Sequence, residues 1–421
     1  MIENNKAIIV ALSNVRPHSN ADRLKLATVY GCQIIIGLDC EEGDLGVYFP
    51  VGVRLSEEFA AQNDLIRRKD ENGNQAGGMF DSNCRVRAQK FRGENSEGFW
   101  IPVDSLKYTG VKPTESDCFD TLNGKEICRK YVPRRNPSAT GKRAKRGTTL
   151  MFAKHFDTAQ LRMNYDSIHE SDLVVITLKV HGTSQRIGHV LEPKEGNWLQ
   201  KLWWKWTNNV NEWTYLIGTR NVICGNELGE PFHSNEFRHR ASKPFFNNLH
   251  KGECIFYEVI GWEDKDKPIM PGGDTKTLSK ESRKLYGPRV EYTYNIPNGE
   301  LDIYVYRVTM VNEDGVSHDL CWDDVKRRCR ELGVKHVIEM DRFIPKDTFR
   351  NELIKDQSIM DRFQDYCEHI TEGVDLVAPN QPREGICVRI DRNPVRVYKN
   401  KSWDFKELEG INPNSNIEDE S

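Results

Sequence analysis

The sequence predicts an α+β protein in which a small all-β barrel precedes a larger mixed α/β domain. Two patterns support this prediction. Short β-prone runs separated by glycine-containing turns fill residues 1–127, whereas strand-like and helical patterns alternate between residues 151 and 408. A chain of 421 residues is also long enough for two or three domains.

Composition limits the classes of protein that need to be considered. Lys and Arg number 60 and Asp and Glu number 63, so the net charge is −3 and any nucleic-acid partner must meet local basic patches. Hydrophobic residues make up 38% and charged residues 29% of the chain. No apolar run approaches the roughly 18 residues of a spanning helix, and Ala7–Leu12 is too short for a secretory signal. We therefore expect no membrane partner and a cytoplasmic location.

The cysteines do not form a recognisable metal or disulfide pattern. There are 11 of them, and the nearest neighbours in sequence, such as Cys32 and Cys40, are eight residues apart. A zinc knuckle requires much closer pairs, and an odd number without a secretory signal suits reduced thiols. We expect neither structural zinc nor disulfides.

The first 127 residues are predicted to form a closed barrel, because closure removes exposed sheet edges. The predicted strands are Ala7–Leu12, Gln33–Gly37, Leu45–Val53, Asn83–Ala88 and Gly98–Pro102.

Residues 128–150 are predicted to form a basic interdomain linker. Between positions 129 and 146 there are eight cations and no acid, interspersed with prolines and glycine. Such a segment either contacts a phosphate backbone or is simply a solvated linker. The candidate phosphate contacts are Arg134, Arg135, Lys142 and Arg143.

Residues 151–408 are predicted to contain both helices and strands. They are followed by an acidic tail at 409–421 that lacks a core-forming pattern. The predicted helices are Phe152–Arg162, Asp323–Leu332 and Thr348–His369. The predicted strands are Leu173–Val180, Cys254–Trp262, Leu301–Met310, Gly385–Ile390 and Val395–Tyr398.

Lys179 stands at the end of the apolar run Leu173–Leu178 and begins the sequence K-V-H-G-T. Burial and neighbouring cations would lower the pKa of this lysine and make its amine a nucleophile. Gly182 would let the backbone approach a bulky ligand. A K-x-x-G tetrad alone is a weak signal, so further elements are needed.

Two phrases in the first module resemble the OB-fold tRNA-binding modules appended to some synthetases. These are N-A-D-R-L at 20–24 and R-G-x-x-S-E-G at 92–98. The resemblance implies an OB barrel that binds RNA through basic and aromatic residues, with Lys90, Arg92, Phe91 and Trp100 as candidates. The alternative is that the aromatic residues fill the barrel and the module is a spacer.

Six elements in the second domain follow the order found in one superfamily. They are K-V-H-G-T at 179–183, G-T-R at 218–220, I-F-Y-E at 255–258, I-Y-V-Y at 303–306, R-E-G-I-C-V at 383–388 and V-Y-K-N-K at 397–401. Together they resemble the covalent nucleotidyltransferases, which comprise ATP-dependent polynucleotide ligases and mRNA-capping enzymes. The K-x-H-G-T form is most similar to RNA ligases.

The resemblance implies a role for each matching residue. Lys179 would be the nucleophile, Glu258 and Glu384 would contact the nucleotide and a divalent metal, and ATP with Mg²⁺ or Mn²⁺ would be required. The other implied nucleotide contacts are Arg220 on phosphate or sugar, Tyr306 stacked on the purine, Lys399 and Lys401 on phosphate, and His181. Taken singly, these residues could instead be surface carboxylates, a core aromatic, solvated lysines and a histidine satisfied by the backbone.

Three features depart from the family pattern. Tyr257 stands where glycine usually precedes the glutamate, and Arg307 stands where many relatives have aspartate. The stretch Glu192–Trp213 contains several tryptophans and resembles an insertion. Its Trp203, Lys205 and Trp206 could stack on RNA, and packing or a partner is favoured over free solvent.

The order of the modules resembles a clade of RNA ligases with an amino-terminal OB domain, which seal 3′-hydroxyl/5′-phosphate nicks in duplexes with an RNA 3′-hydroxyl strand. The sequence thus favours an ATP-dependent RNA ligase that seals nicks through a lysine–AMP adduct and takes part in RNA repair. We expect the protein to be a monomer. The alternatives are a capping-type guanylyltransferase and a non-catalytic RNA-binding protein with a decayed transferase domain.

Overall fold

A computed structural model describes residues 4–69, 75–132, 151–155, 158–194, 196–207, 209–220, 222–226, 236–351 and 357–411. The chain divides into two compact units, Met1–Val132 with Ala159–Ser167, and Pro133–Thr158 with Ile168–Ser421. Ala159–Ser167 thus belongs to the first unit, although the predicted boundary at residue 151 assigned it to the second. Within the described ranges, no helix is long and apolar enough to cross a membrane.

The first unit is built mainly from short antiparallel strands. One sheet has the order β11-β5-β1-β12 and another the order β2-β3-β4. A short helix, α1 (Glu57–Gln62), and a 3₁₀ helix at Val103–Thr109 accompany the strands. The strands are β1 (Ala7–Ala11), β2 (Ser13–Pro17), β3 (Leu24–Val29), β4 (Cys32–Gly37), β5 (Leu45–Phe49), β6 (Val53–Leu55), β7 (Arg67–Lys69), β8 (Gln75–Gly77), β9 (Ala88–Phe91), β10 (Glu94–Glu97), β11 (Phe99–Pro102), β12 (Cys118–Phe119), β13 (Thr121–Leu122), β14 (Lys125–Glu126), β15 (Cys128–Lys130) and β16 (Ala159–Gln160).

Residues on both faces of β1 and β5 are buried in this unit. Ile9, Val47 and Phe49 are fully buried, and Phe59 of α1 packs on Phe49 with ring centroids 5.1 Å apart. Tyr48 points to the opposite side and is buried in a second cluster, so both faces of β5 are covered.

Two predicted strands of this unit differ from those observed. The run Leu45–Val53 is divided after Phe49, where Pro50 lacks the N–H that a continuing strand would donate. The predicted strand Asn83–Ala88 is wrong except for its last residue. Cys84 has a φ of 51°, which is incompatible with an extended strand at that position.

The second unit contains two larger antiparallel sheets. In the first the strands run β30-β29-β17-β28, and in the second they run β20-β19-β18-β21-β25-β26, with β27 parallel to β25. The strands are β17 (Val174–Lys179), β18 (Thr183–Pro193), β19 (Asn211–Gly218), β20 (Ile223–Asn226), β21 (Glu253–Asp264), β22 (Lys267–Pro268), β23 (Gly273–Asp274), β24 (Arg289–Val290), β25 (Leu301–Val311), β26 (Ser317–Asp319), β27 (Lys335–His336), β28 (Glu339–Phe343), β29 (Gly385–Ile390) and β30 (Arg396–Lys401).

Helices cover these sheets and complete the core. Leu178 of β17, Ile255 of β21, Val305 of β25, Trp322 and Phe405 belong to one buried cluster. The cluster explains why the strands read as nearly continuous apolar runs, since both faces of a covered strand are buried. The helices are α2 (Trp198–Trp206), α3 (Glu236–Ser242), α4 (Lys280–Tyr286), α5 (Trp322–Leu332), α6 (Pro345–Phe349), α7 (Ile359–Thr371) and α8 (Trp403–Ile411), with 3₁₀ turns at Tyr165–Ser167 and Lys243–Phe245.

The helix predictions have mixed outcomes. The helix expected at Asp323–Leu332 is confirmed as α5. The expected helix Thr348–His369 is wrong as a single element, because the range contains the end of α6 and most of α7. The helix expected at Phe152–Arg162 is also wrong. Its described residues contain β16, and Phe152 is buried in the second unit instead.

Some predicted features lie outside the described residues. These are most of the basic linker, with Arg134, Arg135, Lys142 and Arg143, and residues 412–421 of the acidic tail. The predicted start of that tail at residue 409 is wrong, because α8 continues to Ile411.

Candidate active site

Three neighbouring strands bring the predicted lysines onto one face of a sheet. Lys179 of β17 lies opposite Gly385 of β29, which in turn lies opposite Lys401 of β30. Two residues along β30, Lys399 lies opposite Cys387. Side chains directly opposite or two residues apart point to the same side of a sheet, so the three lysines share one face.

Gly385 allows this close arrangement of the central strands. Its φ is +149°, and an added Cβ would lie 2.0 Å from the carbonyl oxygen of Asn400. A side chain at this position would therefore force β29 and β30 apart. It would also separate the two lysines on either side of Gly385.

The Glu384 carboxylate lies between two of the lysines. Its Oε1 is 2.8 Å from Lys179 Nζ and 3.5 Å from Lys401 Nζ, and the side chain is only 3% exposed. Among the described residues, Oε2 has no hydrogen-bond partner, and the ring nitrogen His181 Nδ1 is 3.8 Å away. The second oxygen is thus available to a cation or a donor on a ligand.

The protonation of Lys179 differs from the sequence-based prediction. Burial acts to lower the pKa of this lysine, but the attraction of Glu384, with smaller contributions from Cys387 and Glu258, raises it above its ordinary value. The prediction of a lowered pKa is therefore wrong for this state of the protein. It placed cations next to Lys179, whereas the nearest charge is a carboxylate 2.8 Å away.

Helix α8 contributes residues that the sequence analysis did not identify. Lys401 Nζ lies 2.7 Å from Oε1 of Glu409 and 5.1 Å from the centre of the Phe405 ring. Glu409 fell in the predicted tail. The apolar spacing of Phe405 and Leu408, which are both buried, was the signal that this segment is a helix packed on the core.

The second sheet supplies the other predicted nucleotide contacts. Glu258 of β21 lies opposite Ser184 of β18, and the Ser184 hydroxyl is 2.7 Å from the hydroxyl of Tyr306 on β25. Burial raises the pKa of Tyr306, Glu258 raises it further, and Arg220 opposes the effect. The three predicted contacts Arg220, Glu258 and Tyr306 are therefore close enough to interact electrostatically.

A tight loop connects the end of β17 to the start of β18. A Cβ on Gly182 would lie 2.4 Å from the Val259 carbonyl oxygen and 2.9 Å from Glu258 Cγ. Only glycine lets the loop approach β21 this closely. As a result Glu258 lies within electrostatic reach of Lys179 and contributes to its raised pKa.

His181 in this loop is held from two directions. Its backbone N–H donates to the Tyr294 hydroxyl at 2.6 Å, and its ring packs edge-on against Tyr292 and Phe405 with centroids 4.6 and 4.7 Å away. Burial lowers the pKa of His181, and Glu384 opposes that effect. The imidazole therefore lies beside Glu384 as a neutral group, and Nε2 has no partner among the described residues.

Two of the three departures from the family pattern, Tyr257 and Arg307, have structural explanations. Tyr257 points away from the face that carries Glu258, because neighbouring residues on a strand alternate sides, and it packs 5.0 Å from Phe245. Its hydroxyl accepts a hydrogen bond from Gln185 at 2.6 Å. Arg307 is paired with Asp319, whose Oδ2 accepts from Nη2 at 3.1 Å. Tyr257 therefore does not crowd the face that carries Glu258.

The carboxylates present fit sparse coordination of a divalent cation. Within the described ranges, no group of three or more His, Cys, Asp or Glu side chains could hold a metal ion. Mg²⁺ and Mn²⁺ are commonly held by one or two carboxylates together with water and substrate phosphates. Glu384, one of whose carboxylate oxygens has no hydrogen bond from the part of the chain that the structure describes, and Glu258 suit such a site.

The candidate RNA contacts of the first unit lie at the turn between β9 and β10. Phe91 is 45% exposed, and the guanidinium carbon of Arg92 lies 5.8 Å from its ring centre. Asn20 donates to the Arg92 carbonyl oxygen at 3.3 Å, which joins the two phrases that resemble OB modules. Lys90 is exposed on β9. Trp100 is buried and donates to Val10, so it fills the core and cannot stack on RNA.

No protein-family model matches the chain, and no curated protein matches it. Solved structures of Naegleria gruberi RNA ligase are similar to it. A mutant with ATP and Mn has a TM-score of 0.59 and 15% identity, with 96% of this chain and 98% of that chain covered. The protein with PPi and a mutant with AMP and Mn have the same TM-score and identity, with 95% and 97% covered. Over nearly its whole length the chain therefore has the fold of these RNA ligases.

Proposed function

We propose that this protein is an ATP-dependent RNA ligase that seals 3′-hydroxyl/5′-phosphate nicks through a lysine–AMP adduct. The observation that carries the proposal is the convergence of Lys179, Lys399 and Lys401 on one sheet face, with Glu384 2.8 Å from the first of them. Solved structures that share this fold are RNA ligases with ATP, AMP or PPi.

In the first step, the Lys179 amine attacks the α-phosphorus of ATP. A P–N bond forms, the P–O bond to pyrophosphate breaks, and the amine loses a proton. The ammonium must first release a proton to water, which reaches this 25% exposed side chain, and the Glu384 carboxylate, 2.8 Å away, positions the amine nitrogen. Lys399 and Lys401 share the face of Lys179 and bind the phosphate oxygens on which negative charge develops.

A divalent cation, when bound, supplies further charge neutralisation at the phosphates, and Glu258 and Glu384 are the residues that would hold it. Tyr306 contributes an aromatic surface for the purine, and its hydroxyl is fixed by Ser184 at 2.7 Å. Arg220 contributes a planar cation for phosphate or sugar oxygens. The proposal thus assigns separate tasks to the two sheets. The sheet face that carries Lys179, Lys399 and Lys401 binds the phosphates, and the sheet face that carries Tyr306 binds the nucleoside.

In the later steps the adenylyl group moves from Lys179 to a 5′-phosphate, and a 3′-hydroxyl then displaces AMP to form the phosphodiester. Alignment of the strand ends is the main contribution of the protein to these steps. The exposed Lys90, Phe91 and Arg92 at one turn of the first unit, together with the basic linker, are the proposed RNA contacts.

The test combines adduct formation with sealing. The full chain is incubated with ATP labelled at the α-phosphate, Mn²⁺ and a nicked duplex whose 3′-hydroxyl strand is RNA. We expect a labelled protein band and a sealed product with the wild type, and neither with Lys179→Ala. Lys194→Ala is the matched control and should retain both, because Lys194 is half-buried and its amine donates to Asn209 Oδ1 at 2.7 Å, away from the sheet face that carries Lys179.

Two outcomes would contradict the proposal. Transfer of label from GTP in preference to ATP would favour a capping-type guanylyltransferase. Absence of any labelled protein, with RNA binding intact, would favour a non-catalytic RNA-binding protein.

A further inference from the structure

Helix α2 presents an apolar surface to solvent that the proposed ligase chemistry does not use. It interrupts the hairpin of β18 and β19, whose last register pair is Pro193 opposite Asn211. Five of its nine residues are large, apolar and exposed: Trp198 (72%), Leu199 (57%), Leu202 (65%), Trp203 (59%) and Trp206 (84%). Clusters of this kind on a protein surface mark an interaction site.

The exposed residues form one continuous face. At 100° per residue, positions 198, 199, 202, 203 and 206 fall within an arc of about 140°. Trp204 lies on the opposite side, where it is half-buried, and a Cβ on Gly196 would lie 2.5 Å from its ring. The Trp204 side therefore attaches the helix to the hairpin, while the face with Trp198 and Trp206 is turned to solvent.

The helix is ordered by its own sequence and by the hairpin. The Asn197 side chain accepts from the Gln200 N–H, and the Gln200 side chain accepts from the Asn197 N–H, which forms a capping box. Asn209 donates to the Trp204 carbonyl oxygen at 2.8 Å. The apolar face is thus presented on a fixed helix.

Charge beside the apolar face limits the identity of its partner. Between Asn197 and Asn211 the charged residues are Lys201 and Lys205. Both are exposed and lie along one edge of the apolar arc. A tryptophan- and leucine-rich face bordered by lysines is the pattern of helices that lie in the interface of an anionic bilayer. Leu199 and Leu202 within the arc cannot stack on bases, so the surface fits lipid better than single-stranded RNA.

We propose that α2 is a docking helix for the interface of an anionic lipid membrane. It lies on the membrane and does not span it. The expectation of no membrane partner was based on the lack of a spanning segment, and an interfacial helix needs none. The eleven residues of β18 separate α2 from Lys179 by roughly 30 Å, so docking leaves the candidate active site accessible.

Flotation of the full-length protein with vesicles tests this inference independently of the proposed ligase activity. One set of vesicles contains phosphatidylcholine alone, and the other contains on the order of 30% phosphatidylserine. We expect the wild type to float with the anionic vesicles. The triple variant Trp198→Ala, Trp203→Ala and Trp206→Ala should partition roughly 100-fold less, because three indoles are removed from the interface.

The charge contribution is tested by Lys201→Glu with Lys205→Glu, which should reduce binding to anionic vesicles by at least about 10-fold. The matched control is Lys280→Glu with Lys284→Glu, which makes the same change at the same spacing on exposed positions of α4. It should bind like the wild type. Circular dichroism and adduct formation on Lys179 confirm that each variant is folded.

Three results would overturn the inference. The first is no flotation of the wild type with either vesicle type, and the second is unchanged flotation of the triple variant. The third is that vesicles bind neither the wild type nor the triple variant, while the tryptophan substitutions abolish another interaction. Loss of a concentration-dependent dimer would assign the face to a second copy of the chain, and loss of binding to single-stranded RNA would assign it to RNA.

Discussion

The ion pair between Lys179 and Glu384 leads to a quantitative prediction. Glu384→Gln keeps the shape of the side chain but removes the negative charge 2.8 Å from the lysine nitrogen. Because the attraction of this carboxylate overcomes the effect of burial, its removal should lower the pKa of Lys179. The neutral amine should then be more abundant at any pH below that pKa.

The size of the effect follows from the distance. Two unit charges 2.8 Å apart interact by about 1.5 kcal/mol at a dielectric constant of 80 and by about 6 kcal/mol at a dielectric constant of 20. Each 1.4 kcal/mol changes the population of neutral amine about tenfold. The Lys179 side chain is 25% exposed, so we expect the lower part of this range, an increase of about 10- to 100-fold.

The assay is trace acetylation of lysines at neutral pH, followed by mass spectrometry of the peptide that contains Lys179. The partial exposure of this side chain lets a small reagent reach it. Glu409→Gln is the matched control, because Glu409 pairs with Lys401 at 2.7 Å and should leave Lys179 unchanged. Equal or slower acetylation of Lys179 in Glu384→Gln would refute the electrostatic reasoning.

Four further predictions concern the purine contact, the loop at Gly182, the exposed turn of the first unit and one buried carboxyl group. Tyr306→Ala should weaken ATP binding about 5- to 150-fold in a titration, since a stacked base contributes roughly 1–3 kcal/mol. Tyr306→Phe should retain most of the affinity, and equal losses in the two variants would argue against stacking. Gly182→Ala should abolish adduct formation on denaturing gels, because its Cβ would lie 2.4 Å from a carbonyl oxygen; normal labelling would contradict the tight loop. Lys90→Glu with Arg92→Glu should impair nick sealing but not adduct formation, and unchanged sealing would remove this turn from the RNA path. Burial raises the pKa of Asp375 from 3.8 to about 6, so the free energy of unfolding of the wild type should fall as the pH rises between those values. In urea unfolding at neutral pH, Asp375→Asn should be more stable by up to about 3 kcal/mol. Identical pH profiles of the two proteins would contradict this prediction.

Point variants are better than truncation for testing the first unit. Ala159–Ser167 packs within that unit although it follows the linker in sequence. Deletion of residues 1–127 would therefore leave this segment without its partners. Substitutions at the exposed Lys90 and Arg92 avoid that problem.

The sequence was sufficient to predict that Lys179 ends one strand and that Lys399 and Lys401 share one face of another. Lys179 ends an apolar strand, and the K-x-K spacing of Lys399 and Lys401 puts both on one side of β30. These features are local, so periodicity and motif order reveal them. The predicted strands of the second unit all correspond to observed strands. The clearest of them, β17 and β21, have long apolar runs because both of their faces are covered.

The electrostatics of the site depended on contacts that no local pattern specifies. The raised pKa of Lys179 reflects a carboxylate that reaches it from another strand, and Glu409 reaches Lys401 from a helix that was predicted as tail. The position of Phe152 had a similar cause. Gly188 and Gly218 leave space for the Phe152 ring. A Cβ added to either glycine would lie 2.9 Å from an atom of that ring. Pairings of this kind between distant segments are set by tertiary packing, which overrides local helical spacing.

The most direct test of the proposed function is the location of the nucleotide on the protein. The wild-type chain is incubated with ATP and Mn²⁺ without RNA, digested under conditions that preserve phosphoramidates, and analysed by tandem mass spectrometry. We expect one AMP group, bonded to Nζ of Lys179, and none in Lys179→Ala. An AMP group on any other residue, or a labelled Lys179→Ala protein, would contradict it.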